Sequence, residues 1–439
     1  MVGGSVLFPG ILSDLLASSD PLAPKAPHFA PRAKRVIFLF MPGGVSHVDS
    51  FDPKPKLFAD DGKELSEGHK KRLLMRPNWR FRPHGACGLE ISDLFPHLAR
   101  RADDLCVIRS MKTDHANHFE ATLGIHTGSV TLPRPSLGSW LSYGLGTFNR
   151  NLPSFVVLAP HVPYAGGQAW SSDFLPGYHQ GLRVEPGREP IPNMSRRLPS
   201  AELQESELDL VQELNRRHLL LRNGDSALSA RMKSFETAFG MQREAPEVFD
   251  LARESDATLK LYGLERGTTR GFGWQCLVAR RLAERGVRVV ELIDTGSADN
   301  WDAHKDMATH EPLARNVDQP IFALIGDLKA RGMLDETLLV WTTEFGRTPF
   351  RESNGKGRDH HPRGFCSWLA GGGVKAGLAY GSTDEYGMEI VDGEVHVHDL
   401  HATILHLLGL DHTRLTYRHG GRDFRLTDVR GKVVQGILA

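Results

Sequence analysis

The stretch "FLFMPGGVSHVDSFDPKP", Phe38 to Pro55, runs from an unbroken apolar segment straight into reactive groups. Val36–Met41 is apolar at every position, the pattern of a strand covered on both faces rather than on one. Two glycines, Gly43 and Gly44, follow at once, and then Ser46, His47, Asp49 and Asp52. Either these are ordinary turn residues, or the strand delivers polar groups to a site at its carboxyl end.

Further runs share the apolar pattern: "LCVIRS" (105–110), "SFVVLAP" (154–160), "VRVVELID" (287–294) and "TLLVWTT" (337–343). Between them lie helical patterns, "WQCLVARRLAERG" (274–286) and "QPIFALIGDLKARG" (319–332), each closing on basic residues and a glycine. Helices alternating with doubly buried strands predict an α/β fold with a mainly parallel sheet flanked by helices. Residues 200–266 are charged and helix-periodic, and predict a helical insertion. The Gly- and Pro-rich stretch 161–199 reads as a long surface loop of the kind that often carries function. The remaining division is a linker and signal remnant at 1–32 and one domain at 33–439, with no internal repeat.

Lys plus Arg and Asp plus Glu both number 53, so the formal charge is zero, which argues against nucleic-acid binding through a general positive field. Four cysteines form no C-x-x-C pair, which speaks against a zinc knuckle or a redox motif. No run approaches the roughly 20 apolar residues of a transmembrane helix. Residues 1–32 read equally as the tail of an export signal with a linker or as an arm outside the domain, and residues 1–30 are expected to add nothing to its stability. Nothing in the pattern sets an oligomeric state.

Histidine, at 21, is the abundant reactive type. After strand 287–294 come Asp294, Asp302 and His304; after 337–343 come Glu344 and Arg347, then Arg358, Asp359, His360 and His361. Three strands thus bring carboxylates and imidazoles to one sheet edge, where open parallel sheets bind ligands. Such mixed donors suit zinc, manganese or iron better than calcium. A bound ion would activate water and polarise a phosphoryl or sulfuryl oxygen, with Arg347 and Arg358 as forked donors to it. The expected ligands are His47, Asp49, Asp302, His304, Glu344, His360 and His361. Since His360 and His361 are neighbours whose side chains diverge, one of the two is the ligand. Taken singly, Asp302 and His304 also fit a polar turn, and Glu344 a cap or an ion pair. His115, Asn117 and His118 fall where a helix begins, which favours anions. The histidines at 396, 398, 401 and 406 surround a helix and read as structural.

Taken together, "FLFMPGGVSHVDSFDPKP", "TTEFGRTP", "GRDHHP", "AGGGVKAG" and "VHDLHATILHLLGLDH" resemble the sulfatase-like domain-of-unknown-function family 1501, grouped with the alkaline phosphatase superfamily, from about Pro21 to the end. The resemblance implies a doubly wound α/β fold and export, often through a twin-arginine signal; residues 1–30 hold no arginine pair, so the signal reads as truncated. It implies that "DNWDAH" supplies Asp302 and His304 to one metal. In "TTEFG", Glu344 stands for the superfamily's Asp and Phe345 for its His, and "GRDHHP" offers His360 or His361. "NHFEATLGIHTG" resembles the helix that starts with the nucleophile, and His118 stands at or beside that position instead of Ser, Thr or Cys. The formylglycine route therefore does not apply, and metal-activated water or a histidine nucleophile fits better, with Ser46, Ser110 and Thr113 still open. The expected catalytic group is His118, Asn117, His115, Ser46 and Arg347. The expected function is an exported hydrolase of phosphate or sulfate esters using zinc or manganese, on a small-molecule or polysaccharide substrate, sulfated polysaccharides included. The alternative is a non-catalytic ligand- or metal-binding protein on the same fold.

Overall fold

In the computed structural model, residues 20–67, 70–192, 194, 199–222, 225–352 and 355–439 are described. The core is a nine-stranded sheet. Its strands, in chain order, are β1 (Arg35–Phe40), β2 (Leu105–Lys112), β3 (Phe155–Leu158), β4 (Leu182–Val184), β5 (Val289–Ile293), β6 (Thr337–Thr342), β7 (Phe365–Ala370), β8 (Leu378–Tyr380) and β9 (Val395–His396). They lie in the order β8-β2-β7-β6-β1-β5-β3-β4, with β9 also paired to β2. β1 is central and runs parallel to β6 on one side and β5 on the other. Only β7 runs against the rest, antiparallel to both β6 and β2.

Alternation along β1 shows why it is apolar throughout. Ile37 and Leu39 enter one core, while Val36, Phe38 and Phe40 enter the other. Successive side chains of a strand point to opposite faces, so a strand with helices on both sides has no residue to leave polar. The flanking helices are α2 (His118–Thr127), α3 (Leu137–Leu145), α7 (Phe272–Glu284), α8 (His310–Ala330) and α9 (Val397–Leu407); α1 (His47–Ser50) is a single turn after β1. α7 and α8 cover the Ile37 face, and α3 and α9 cover the Phe38 face.

All five expected strands and both expected helices are present, and the mainly parallel sheet is as the alternation predicts. The stretch 200–266 holds α4 (Ala201–Leu220), α5 (Ser226–Phe249) and the short α6 (Asp256–Leu261). Four strands of the sheet were not foreseen, the six-residue, fully buried β7 among them. β4 lies inside the expected loop 161–199, and β8 and β9 are too short for a periodic signal.

The signal remnant at 1–19 lies outside the described residues. Residues 20–33 are docked on the domain, contrary to the expectation of an arm that adds nothing. Leu22 is buried, Asp20 pairs with Lys233 at 2.9 Å, and the backbone amides of Lys25, His28 and Arg32 donate to Leu145, Gly409 and Leu407. Among the described residues no helix is long and apolar enough to cross a membrane.

Candidate metal centre

Beyond β1 the chain passes Gly43 (φ 112°) and Gly44 (φ 80°). A Cβ on Gly43 would lie 2.6 Å from the backbone nitrogens of Trp301 and Asp302, and one on Gly44 would meet the Phe345 ring at 2.7 Å. The loops after β1, β5 and β6 can therefore converge only because the first carries no side chain there. That convergence sets Asp302, Glu344 and Arg347 beside His118, the first residue of α2.

Four groups meet there. Asp302 Oδ1 lies 2.9 Å from His304 Nε2 and 3.3 Å from His360 Nε2, and Asp302 Oδ2 lies 3.4 Å from His118 Nε2. The two nitrogens His304 Nε2 and His360 Nε2 are 2.9 Å apart. Each ring is anchored through its other nitrogen. His118 Nδ1 donates to Glu344 Oε1 at 2.6 Å, His304 Nδ1 to Glu352 Oε2 at 2.5 Å, and His360 Nδ1 to the Ala116 carbonyl at 2.7 Å. Because all three partners accept, each neutral ring carries its proton on Nδ1 and turns the Nε2 lone pair inward. The Nε2 atoms of His118 and His360 and the Asp302 carboxylate lie within 4.8 Å of one another, and His304 Nε2 borders them through Asp302 and His360. With neutral rings they repel one another unless a proton or a metal ion lies between them. His118 Nε2 is buried and makes no hydrogen bond.

The spacing fits a metal ion. Nitrogen and oxygen ligands at about 2.0–2.1 Å from a tetrahedral zinc lie about 3.3–3.4 Å from one another. This matches the 3.3 and 3.4 Å from the Asp302 oxygens to His360 and His118, whereas the two 2.9 Å separations of His304 Nε2 are shorter. His–carboxylate and His–carbonyl anchoring is the usual outer support of metal-bound histidine. Arg347, fully buried, donates to Asp302 Oδ1 at 2.6 Å and to the Gly44 carbonyl at 2.9 Å, and so fixes that carboxylate. Burial works against ionisation of Asp302, but His118, His360 and Arg347 together hold its carboxyl far below the usual range. Burial likewise disfavours the His118 imidazolium, yet Asp302 and Glu344 outweigh it and raise its pKa.

Several expected site residues are placed elsewhere. Glu344 is fully buried, with Oε1 also accepting from Gly43 N at 2.8 Å and Oε2 from Thr343 Oγ1 at 3.1 Å; it stands behind His118 rather than facing the centre. Ser46, His47, Asp49 and His361 form a second, closed cluster. Ser46 Oγ and Arg358 Nε both donate to Asp49 Oδ2, at 2.6 and 2.8 Å. His47 and His361 stack at 5.9 Å and reach the carbonyls of Gly387 and Met388. Burial pushes these two imidazoles down to about 4 and about 3. Among the described residues no hydrogen bond or ion pair joins this cluster to Asp302, His304 or His360. Arg347 and Arg358 are also committed to internal acceptors, Arg358 adding the Thr348 and Met75 carbonyls, so neither is the forked oxyanion donor expected of it. Asn117 caps α2, its Oδ1 accepting from Phe119 N at 3.2 Å, and His115 Nδ1 accepts from Asn117 N; both lie outside the cluster, Asn117 exposed and His115 half-buried. Of the pair, His360 is the one at the centre.

Tyr164 and Glu352 gave no motif signal. Tyr164, from the expected functional loop, stacks on His118 at 4.1 Å with its hydroxyl held by Asn300 Nδ2 at 2.9 Å. A cleft of about 430 Å³, lined in part by Tyr164, Asp299, Asn300 and Asp302, opens beside the cluster. A further trio, Asp114, His396 and His398, lies beyond β2 and β9. There His396 Nδ1 accepts from His398 N, leaving the proton on Nε2, which faces Asp114 at 3.2 Å; this is a capped helix start rather than a ligand set.

No curated protein matches the chain. Among solved structures it is similar to the lipoteichoic acid synthase LtaP from Listeria monocytogenes, at 8% identity, 94% of this chain, 79% of that one and a TM-score of 0.40. The C-terminal periplasmic domain of EcEptC from Escherichia coli, in complex with Zn, matches at 10% identity, 88% and 86% coverage and 0.38. PsFucS1 sulfatase from Pseudoalteromonas sp. matches at 12% identity, 86% and 68% coverage and 0.34. At these identities the likeness is one of fold alone. A family model, described as a protein of unknown function, DUF1501, covers residues 33–438, from the start of β1 past the last of the converging loops, and the chain belongs to that family.

Proposed function

We propose that this protein is an exported, metal-dependent hydrolase of phosphate or sulfate esters. The observation that carries this reading is the convergence of the His118 and His360 Nε2 atoms on the Asp302 carboxylate, with His304 Nε2 beside them. His118, Asp302 and His360 would hold a zinc or manganese ion and leave a position open on it, with His304, anchored by Glu352, beside them and Glu344, the Ala116 carbonyl and Arg347 behind. When bound, such an ion supplies Lewis acidity, polarising the ester and making water a nucleophile near neutral pH.

The chain's own groups fit the remaining tasks. Glu344 holds the proton of His118 on Nδ1, which fixes the ring's direction and raises its basicity. The start of α2 at His118 brings the positive end of a ten-residue helix to an anionic ester. Tyr164 covers one face of His118, and the cleft past Asp302 and Asn300 is the entry for the alcohol portion of the substrate, which a polysaccharide or a small molecule could supply. A side-chain nucleophile finds little support. Ser46 Oγ and Ser110 Oγ donate to Asp49 and to the Gly393 carbonyl. Burial pushes the Cys106 thiol up to about 12, and those of Cys276 and Cys366 well above their usual range. Among the described residues no serine, threonine or cysteine side chain hydrogen-bonds to His118, Asp302, His304 or His360, which also favours, as a second reading, a metal- or ligand-binding protein without turnover.

Metal analysis of the purified protein, joined to a screen with aryl phosphates and aryl sulfates, separates these. Stoichiometric zinc or manganese with turnover supports the hydrolase, metal without turnover supports the binder, and a protein that takes up neither ion removes both.

A further inference from the structure

Helix α4 of the insertion packs on α5 through one face, with Leu208 and Leu219 half-buried, and turns a different face to solvent. That outer face is not polar. Leu203, Leu210, Leu214 and Leu221 are 56%, 61%, 55% and 84% exposed. Spaced at i, i+7, i+11 and i+18, they form one stripe along the helix. Glu207 and Arg217 complete the same stripe at the two positions where a leucine is missing. Monomeric proteins rarely expose so continuous an apolar line.

The stripe is symmetric about Gln212. Leu203 and Leu221 lie nine residues to either side of it, Glu207 and Arg217 five, and Leu210 and Leu214 two. Reversing the helix therefore reproduces the apolar pattern and exchanges the two charges. Residues 201–213 carry only acidic charged side chains and residues 216–222 only basic ones.

We propose that α4 is a self-association surface, on which a second copy of this chain lies antiparallel about a two-fold axis at Gln212. Leu203 then faces Leu221 of the second copy, Leu210 faces its Leu214, and Glu207 faces its Arg217, with each contact made twice as a two-fold interface requires. The charge pattern selects this occupant: antiparallel copies set acidic half against basic half, and parallel copies set like against like. The 20-residue helix is about 30 Å long. A single helix face sits at or below the low end of the roughly 1,200–2,000 Å² buried by stable interfaces, so the dimer is expected to dissociate in the micromolar range.

Sedimentation equilibrium of the full chain over a concentration series tests this. Wild type should show a reversible monomer–dimer equilibrium. Leu210→Glu, which places a charge at the centre of the seam, should weaken it by about 100-fold or more. Glu207→Arg and Arg217→Glu should each weaken it about tenfold, and the double exchange should return it to within about threefold of wild type. Melting temperatures within about 2 °C of wild type would show that these exposed changes leave the fold intact. Wild type that stays monomeric to about 100 μM, a dimer indifferent to Leu210→Glu, or a double exchange no better than either single one, would each overturn the proposal.

Discussion

Two clusters of histidine, carboxylate and arginine lie past the strand ends, and they differ in how far their polar atoms are already satisfied. Around Asp49 most donors and acceptors find partners within the protein, with His47 Nδ1 left buried and unpartnered. Arg358 takes a carboxylate and two carbonyls, the two imidazoles take carbonyls, and Asp49 and Arg358 have no exposed side-chain surface. Around Asp302 the outer nitrogens are tied down while the inner ones face each other, and the Asp302, His304 and His360 side chains keep 26%, 34% and 19% exposure. A closed network of this kind holds loops together. An open one, with its lone pairs directed at a common point, is arranged for something to be bound.

The largest contrast is expected on replacing the central carboxylate of each. Asp302→Ala should abolish metal uptake and hydrolysis together while the circular dichroism spectrum stays that of the wild type; full metal occupancy in that variant would place the centre elsewhere. Asp49→Ala strands the Arg358 charge in the interior and should cost about 3–5 kcal/mol of stability in denaturant unfolding. A loss under 1 kcal/mol would mean that the second cluster is not the brace described.

Acid should separate the clusters next. An unfolded histidine titrates near 6.5, whereas His47 and His361 titrate at about 4 and about 3 when folded. Their stabilising contribution is therefore complete above about pH 6.5. It is lost as pH falls toward 4, where the unfolded chain binds more protons, at about 3 kcal/mol per group. His361→Gln should flatten the stability curve between pH 6.5 and 4, and an unchanged slope would count against a buried neutral ring. Glu344→Gln tests the support of His118. Loss of an outer partner typically costs 10–100-fold in metal affinity, so competition with a chelator should give that factor, and complete loss would make Glu344 a ligand after all.

The smallest effect concerns the amino-terminal segment. A chain starting at Ala33 loses the burial of Leu22 and the backbone bonds of residues 25–32, partly offset by the ordering entropy it no longer spends. It should be less stable by about 1–2 kcal/mol, and a melting temperature equal to wild type would return the segment to the status of a detached arm.

Much of this was legible from residue patterns. Strands buried on both faces leave an unbroken apolar signature, so β1, β2, β3, β5 and β6 and the sheet edge they serve could be read directly. Asp302, His304, His360 and His118 were all marked from their positions after strands or at a helix start. What misled was Ser46, His47 and Asp49, which stand in the same kind of place and carry the same residue types. Position after a strand brings a side chain to the edge, but its rotamer and neighbours decide whether it turns into the cleft or back under the loops. Arg347 and Arg358 illustrate the same limit, since a guanidinium that clamps carbonyls and one that clamps an oxyanion are written with the same letter.

By itself, the sequence determined the α/β class, the central strand and the chemical types gathered at its edge, because burial on two faces and helix periodicity are local properties of composition along the chain. Tertiary structure alone decided which nitrogen of each histidine is anchored, that Glu344 and Glu352 stand behind rings rather than in the centre, and that Tyr164 covers His118. Those outcomes depend on atoms 40 to more than 200 residues apart meeting within 3 Å or so, and no short-range pattern encodes such a meeting.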